Sequence, residues 1–123
     1  MSTIKVDNLQ TTGGAGLYPA RAWVNFNGAG TVAIRADGNV SSITDVGTAS
    51  YRTNFSTSFS SASYSISGTA RDNVGGSSCS FTLAGASLST LTSAYQTGSC
   101  YCRAVTTSDA LRDSDSCSLA LVD

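Results

Sequence analysis

Histidine and glutamate are absent from these 123 residues, and proline occurs once. Without histidine the chain lacks the usual general base, a frequent zinc ligand and every His-dependent nucleophilic triad. Without glutamate, Asp alone carries the acidic chemistry. Paired-carboxylate glycoside hydrolysis needs one shielded acid, and Asp at turn positions offers little for it. No serine sits in Gly-x-Ser-x-Gly. These gaps favour a protein without catalytic residues or cofactors.

Charge is also scarce. Charged residues make up 12% of the chain, about half the roughly one quarter of ordinary globular domains. The net charge is −1, with no basic stripe to neutralise phosphates, so nucleic acid is excluded as a partner. No run approaches the ~20 apolar residues of a membrane helix, and one proline makes no Pro-rich stalk. Met1 to Leu9 lacks a continuous apolar segment of the secretory kind. The expectation is a protein made in a cytoplasm, with cysteines reduced there unless it later leaves the cell.

What remains suits one β domain. Apolar residues are 41% of the chain, enough for a core. Thr and Val favour pleated strands, and Gly, Asn, Asp and Ser favour turns. The richest stretch, Ala20 to Phe59, holds the only Trp and three of four Phe. Within it, Ala20–Phe26 alternates with Ala22, Val24 and Phe26 on one face and Arg21, Trp23 and Asn25 on the other. Asn27-Gly28-Ala29-Gly30 is a hairpin loop. Thr31–Ala36 predicts a strand with Val32, Ile34 and Ala36 inward; Val40–Thr44 predicts another. Asp37-Gly38-Asn39 and Asp45-Val46-Gly47 are turns. Ser50–Phe55 groups Tyr51, Thr53 and Phe55.

After Phe59, Tyr64, Ile66 and Gly68 line a strand. Arg71–Ser78 is a polar loop, and Cys79, Phe81 and Leu83 alternate in the next strand. Leu88, Leu91 and Tyr95 match helical spacing, but Ser and Thr surround them, so Ser87–Tyr95 reads as loop or strand. Ser99–Thr106 and Cys117–Val122 are strands, with Arg103–Asp115 polar and exposed. Strands every 8–12 residues mean a sandwich or barrel, not βαβ units. The fold class is therefore all-β, a small antiparallel β-sandwich or barrel-like domain over 17–123. Residues 1–16 precede it as an arm: a short strand over Ser2–Leu9, with Ile4 and Val6 on one side, then the Gly-rich linker Thr11–Gly16. That run lacks the helix and Lys of a phosphate loop.

Few residues invite a site. Asp109, Asp113 and Asp115 could hold Ca²⁺ weakly, though a solvated loop explains them better. Cys79, Cys100, Cys102 and Cys117 leave three readings open: buried free thiols, disulfides formed outside the cell, or a metal site, for which the spacing is poor. Cys100 and Cys102 share one face of their strand. Trp23 lies on an otherwise polar face. It serves either a subunit interface or a face covered within the same chain.

The run Ala22-Trp23-Val24-Asn25-Phe26-Asn27-Gly28-Ala29-Gly30-Thr31-Val32-Ala33-Ile34-Arg35, with Asn39–Asp45 and Tyr51–Phe55, resembles a module of tail-fibre-like structural proteins of tailed bacteriophages. The type is familiar from cyanophages, other marine phages and prophages. Ser2–Gln10 is similar to the opening of such virion proteins. The likeness is strongest over residues 1–70. It implies a virion structural protein, commonly a homotrimer. Its arm would be anchored to other virion proteins through residues such as Ile4 and Val6, and its β domain would face the host surface and its glycans. The chain has no extended shaft, so a short fibre or tip fits its length, as does a capsid decoration or cement protein.

Overall fold

Among the described residues, alternation of apolar and polar side chains resolves into eight strands. They are β1 (Ala22–Asn27), β2 (Ala33–Gly38), β3 (Val40–Gly47), β4 (Ser50–Phe55), β5 (Ser65–Asp72), β6 (Ser78–Leu83), β7 (Ser99–Thr106) and β8 (Ser114–Val122). The structure is a computed structural model. It describes residues 2–16, 19–72, 78–83, 95–106, 111 and 113–122, with backbone alone at 72, 78–83 and 106. Among the described residues there is no helix.

The strands hydrogen-bond in the order β2-β1-β8-β5-β6-β7-β4-β3, every pairing antiparallel. The run folds over itself into a sandwich. One layer is β2-β1-β8-β5, and the facing layer is β7-β4-β3. Strand β6 joins them, through five pairs with β7 and only three with β5. The two ends of the order, β2 and β3, do not pair, so the sandwich is not a closed barrel.

The core lies between the layers. Ala22, Val24 and Phe26 of β1 and Cys117, Leu119 and Leu121 of β8 face Tyr51, Thr53 and Phe55 of β4 and Cys100, Cys102 and Ala104 of β7. Each fully buried large apolar side chain contributes about 1.5–3 kcal/mol. Phe26 meets Tyr51 edge-on across the layers, ring centroids 5.2 Å apart. At the other end Phe55, Phe59, Tyr64 and Tyr95 form a chain of ring contacts at 4.7–6.0 Å. The Tyr64 hydroxyl lies 2.9 Å from the Gln96 carbonyl and 3.0 Å from the Ser99 carbonyl. Burial pushes its pKa up to about 12.

Several local expectations change. Ser2–Leu9 forms no strand; all eight residues are exposed, and nearby only Gln10 and Gly16 bridge. The alternation there has no neighbouring strand to pair with. The Gly-rich segment closes as a turn, with Thr11 N donating to the Ala15 carbonyl at 2.8 Å. Ala36 faces outward, opposite Asn25, because a bulge inserts Arg35 between that pair and Phe26–Ile34. Asp45-Val46-Gly47 belongs to β3; the turn falls at Thr48–Ala49. Arg103 to Val105 are not exposed but lie half-buried or buried in the expected strand, β7, while Ser114 and Asp115 of the expected loop lie in β8. The expected loop or strand over 87–94 and residues 73–77 and 107–110 of the expected loops fall outside the described residues.

Asn39 alone connects β2 to β3, carrying the chain from the edge of one layer to the edge of the other. Its φ is 58°, a left-handed conformation that costs Asn less than Ala. Its Oδ1 accepts from Thr57 N at 2.7 Å, and its Nδ2 donates to the Thr57 carbonyl at 3.0 Å and the Arg21 carbonyl at 3.3 Å. Replacing Asn39 by Ala adds ~1–2 kcal/mol of backbone strain to the loss of three exposed hydrogen bonds, about 0.5 kcal/mol each. We expect Asn39→Ala to lower the unfolding free energy in urea by roughly 2–4 kcal/mol, and Asn39→Gly, free of the strain, to lower it less. Equal losses in the two variants would show that the backbone conformation carries no cost.

Candidate functional site

The outer side of the β2-β1-β8-β5 layer holds an open groove of about 400 Å³. Register builds it. Trp23, Ala120 and Ser67 form one outward row across β1, β8 and β5, and Asn25, Ser118 and Thr69 form the next. The lining is Trp23, Asn25, Ser67, Thr69, Ser118 and Ala120, over the backbone of Val24, Gly68 and Leu119. Their neighbours Val24, Phe26, Leu119 and Leu121 point the other way into the core. The same strands thus supply the rigid interior and the exposed face.

Trp23 is 44% exposed. It sits opposite Gly38 of β2, and its indole lies across that glycine, where a Cβ would collide with the ring. The absent side chain at Gly38 gives the ring a seat on the sheet. Asn25 is oriented at both ends of its amide. Its Nδ2 donates to Ser118 Oγ at 2.9 Å, and its Oδ1 accepts from Arg35 Nη1 at 3.4 Å. Arg35 also donates to the Asp115 carbonyl. The Asp115 carboxylate pairs with Arg71, next in the outward register after Thr69. The Arg71 guanidinium holds the Asp115 carboxyl below its usual pKa, with Arg35 adding to the effect. The groove therefore runs from an aromatic platform, past amide and hydroxyl groups, to two guanidiniums held at Asp115, Arg71 on its carboxylate and Arg35 on its backbone carbonyl.

The outward-facing reading of Trp23 agrees with this placement. Ile4 and Val6 are 87% and 57% exposed in the arm. The acidic residues do not converge. Asp113 Oδ1 accepts from Ala49 N at 2.7 Å and lies 3.4 Å from the Tyr51 hydroxyl, while Asp115 faces Arg71. Asp109 lies outside the described residues. No group of metal-ligating side chains occurs among the described residues.

Sequence reasoning did not assemble Asn25, Ser67, Thr69, Ser118 and Arg71 into one surface. Each was visible as the polar half of an alternation, but their adjacency rests on β8 lying between β1 and β5.

Cys100, Cys102 and Cys117 are fully buried, and none of them forms a disulfide among the described residues. Cys102 Sγ donates to the Tyr51 carbonyl at 3.5 Å and lies 3.9 Å from Thr53 Oγ1; Cys117 Sγ donates to the Ser114 carbonyl at 3.7 Å. Burial, with Cys100 alongside, pushes the Cys102 thiol well above the ordinary range. These three act as small core residues with weak donors. Cys79 pairs through its backbone with Ala70 and Thr106, and its side chain lies outside the described part.

No protein-family model, curated protein or solved structure matches this chain.

Titration with an aromatic disulfide reagent checks the cysteine assignment. Cys100, Cys102 and Cys117 should be unreactive in the folded protein and all three reactive after unfolding without reductant. Their absence from the unfolded titration would mean that they are oxidised.

Proposed function

We propose that this chain is a structural protein of a tailed-phage virion, a tail fibre or a short fibre or tip component, that attaches to the host surface through its β-sandwich. The observation that carries the reading is the half-exposed Trp23 seated on Gly38 within an otherwise polar groove. A large aromatic held rigid on a sheet face is a strong anchor for recognition. The resemblance to tail-fibre-like proteins adds support. Its most characteristic residues, Ala22 to Arg35, form β1 and the hairpin into β2, and they contribute Trp23 and Asn25 to the groove.

In this reading the protein acts by adhesion and assembly, with no reaction and no cofactor. It is made in the host cytoplasm and built into the virion. The copies form a homotrimer, and the arm docks to other virion proteins by strand pairing. The exposed side chains of Ile4, Val6 and Leu9 support an arm that is completed by a partner. The surface partner is a host glycan.

The same exposed arm suits a second reading, a decoration or cement protein that bridges capsid subunits and stiffens the head. Virions carrying Trp23→Ala separate the two. Since Trp23 lies outside the core, particles should still assemble, and we expect their adsorption rate to fall at least tenfold. Normal adsorption with heads that break on heating would contradict the fibre reading and support the decoration role.

A further inference from the structure

The charge along the groove is uneven. At one end Arg71 pairs with the Asp115 carboxylate and Arg35 donates to the Asp115 backbone carbonyl, so two guanidiniums stand against a single carboxylate. Arg21, exposed, precedes β1 near the Trp23 end, where its N–H donates to the Leu121 carbonyl. Asp37, also on this layer, sits opposite Val24 and so belongs to the inner side of β2. The described groove and its ends therefore carry an excess of positive charge, on a chain whose net charge is −1.

The chemistry of the lining is equally directed. An indole face fits the C–H face of a sugar ring, since its ring is apolar and broad. Asn25 gives one amide N–H to Ser118 and keeps a second. Ser67, Thr69 and Ser118 bring hydroxyls that both donate and accept. A guanidinium has five N–H donors, and Arg35 and Arg71 spend only some of them on Asn25 and Asp115. Such a fork suits a planar carboxylate. The volume, about 400 Å³, lies at the small end of ligand sites, which run from roughly 300 to 1,000 Å³.

We infer that this groove selects an acidic saccharide, one ring lying on Trp23, its neighbour hydrogen-bonded to Asn25, Ser118 and Thr69, and its carboxylate at Arg35 and Arg71. This deepens the adhesion reading and rests on it. The excess charge distinguishes an acidic sugar from a neutral one, and the polar lining distinguishes a sugar from an apolar protein surface.

Trp23 is the only tryptophan, so its fluorescence reports this groove alone. The purified full chain is titrated with a panel of oligosaccharides: uronate- and sialate-containing members, their carboxyl-reduced counterparts, and neutral glucans. At least one acidic member should shift the emission and bind at least tenfold more tightly than its carboxyl-reduced form, with affinity falling as salt is raised. Arg35→Gln and Arg71→Gln should each bring the acidic sugar to the level of the reduced one. Circular dichroism confirms that both variants fold. Equal affinity for acidic and reduced forms would overturn the charge selection and leave adhesion standing. No binding to any member would overturn the groove as a sugar site, and Trp23-dependent adsorption would then point to a protein receptor. Emission that changes on dilution of the protein alone would assign the face to a second copy and overturn the inference.

Discussion

Tyr51 is the point where the two layers are locked together. Its ring is fully buried on β4 and meets Phe26 of β1 edge-on. Its hydroxyl donates to the Gly28 carbonyl at 2.9 Å, in the loop after β1, and lies 3.4 Å from Asp113, just before β8. Asp113 also accepts from Ala49 N at 2.7 Å, which fastens the turn into β4 although Ala49 has a φ of 58°. One side chain therefore ties β4 to both central strands of the opposite layer. Burial, then the nearby Cys117 and Asp113, push the Tyr51 pKa far up, so the hydroxyl stays protonated and able to donate. Gly28 is required because a Cβ there would enter the Tyr51 ring.

The proposed working face depends on this lock at one remove. Trp23 and Asn25 are outward only because Ala22, Val24 and Phe26 are held inward, against Tyr51 and its neighbours. A slip of one residue in β1 would exchange the two faces. The open side of the sandwich is protected differently. Both edge strands are bulged, and each carries an Asp at an inner-facing position, Asp37 opposite Val24 and Asp45 opposite Tyr51. A charge so placed discourages a further strand from adding. The edges are thereby closed to further strands, while the faces and the arm stay open.

Much of the sandwich was legible because alternation reports burial directly. Ala22, Val24 and Phe26, and Tyr51, Thr53 and Phe55, are inward as their spacing predicts. Alternation fails where a ladder is irregular: the bulge at Arg35 turns Ala36 outward, and no local pattern announces a bulge. It fails again where a strand is polar on its described faces. Arg71, Ser114 and Asp115 looked like loop, yet they lie in β5 and β8. The arm shows the opposite error, since a strand-like pattern forms no strand without a neighbour to pair with. The groove stayed hidden for a topological reason. Trp23 and Ser67 share a row only because the last strand, β8, inserts between β1 and β5.

The central claim is that close contact between Tyr51 and the β1–β2 loop holds the layers in register. Urea unfolding of Gly28→Ala tests it most directly, since the new methyl competes for the space of the Tyr51 ring. Overpacking of this kind costs about 1–3 kcal/mol, and the account predicts a loss of at least ~2 kcal/mol relative to the unmodified protein. A Gly28→Ala protein as stable as the unmodified one would contradict it.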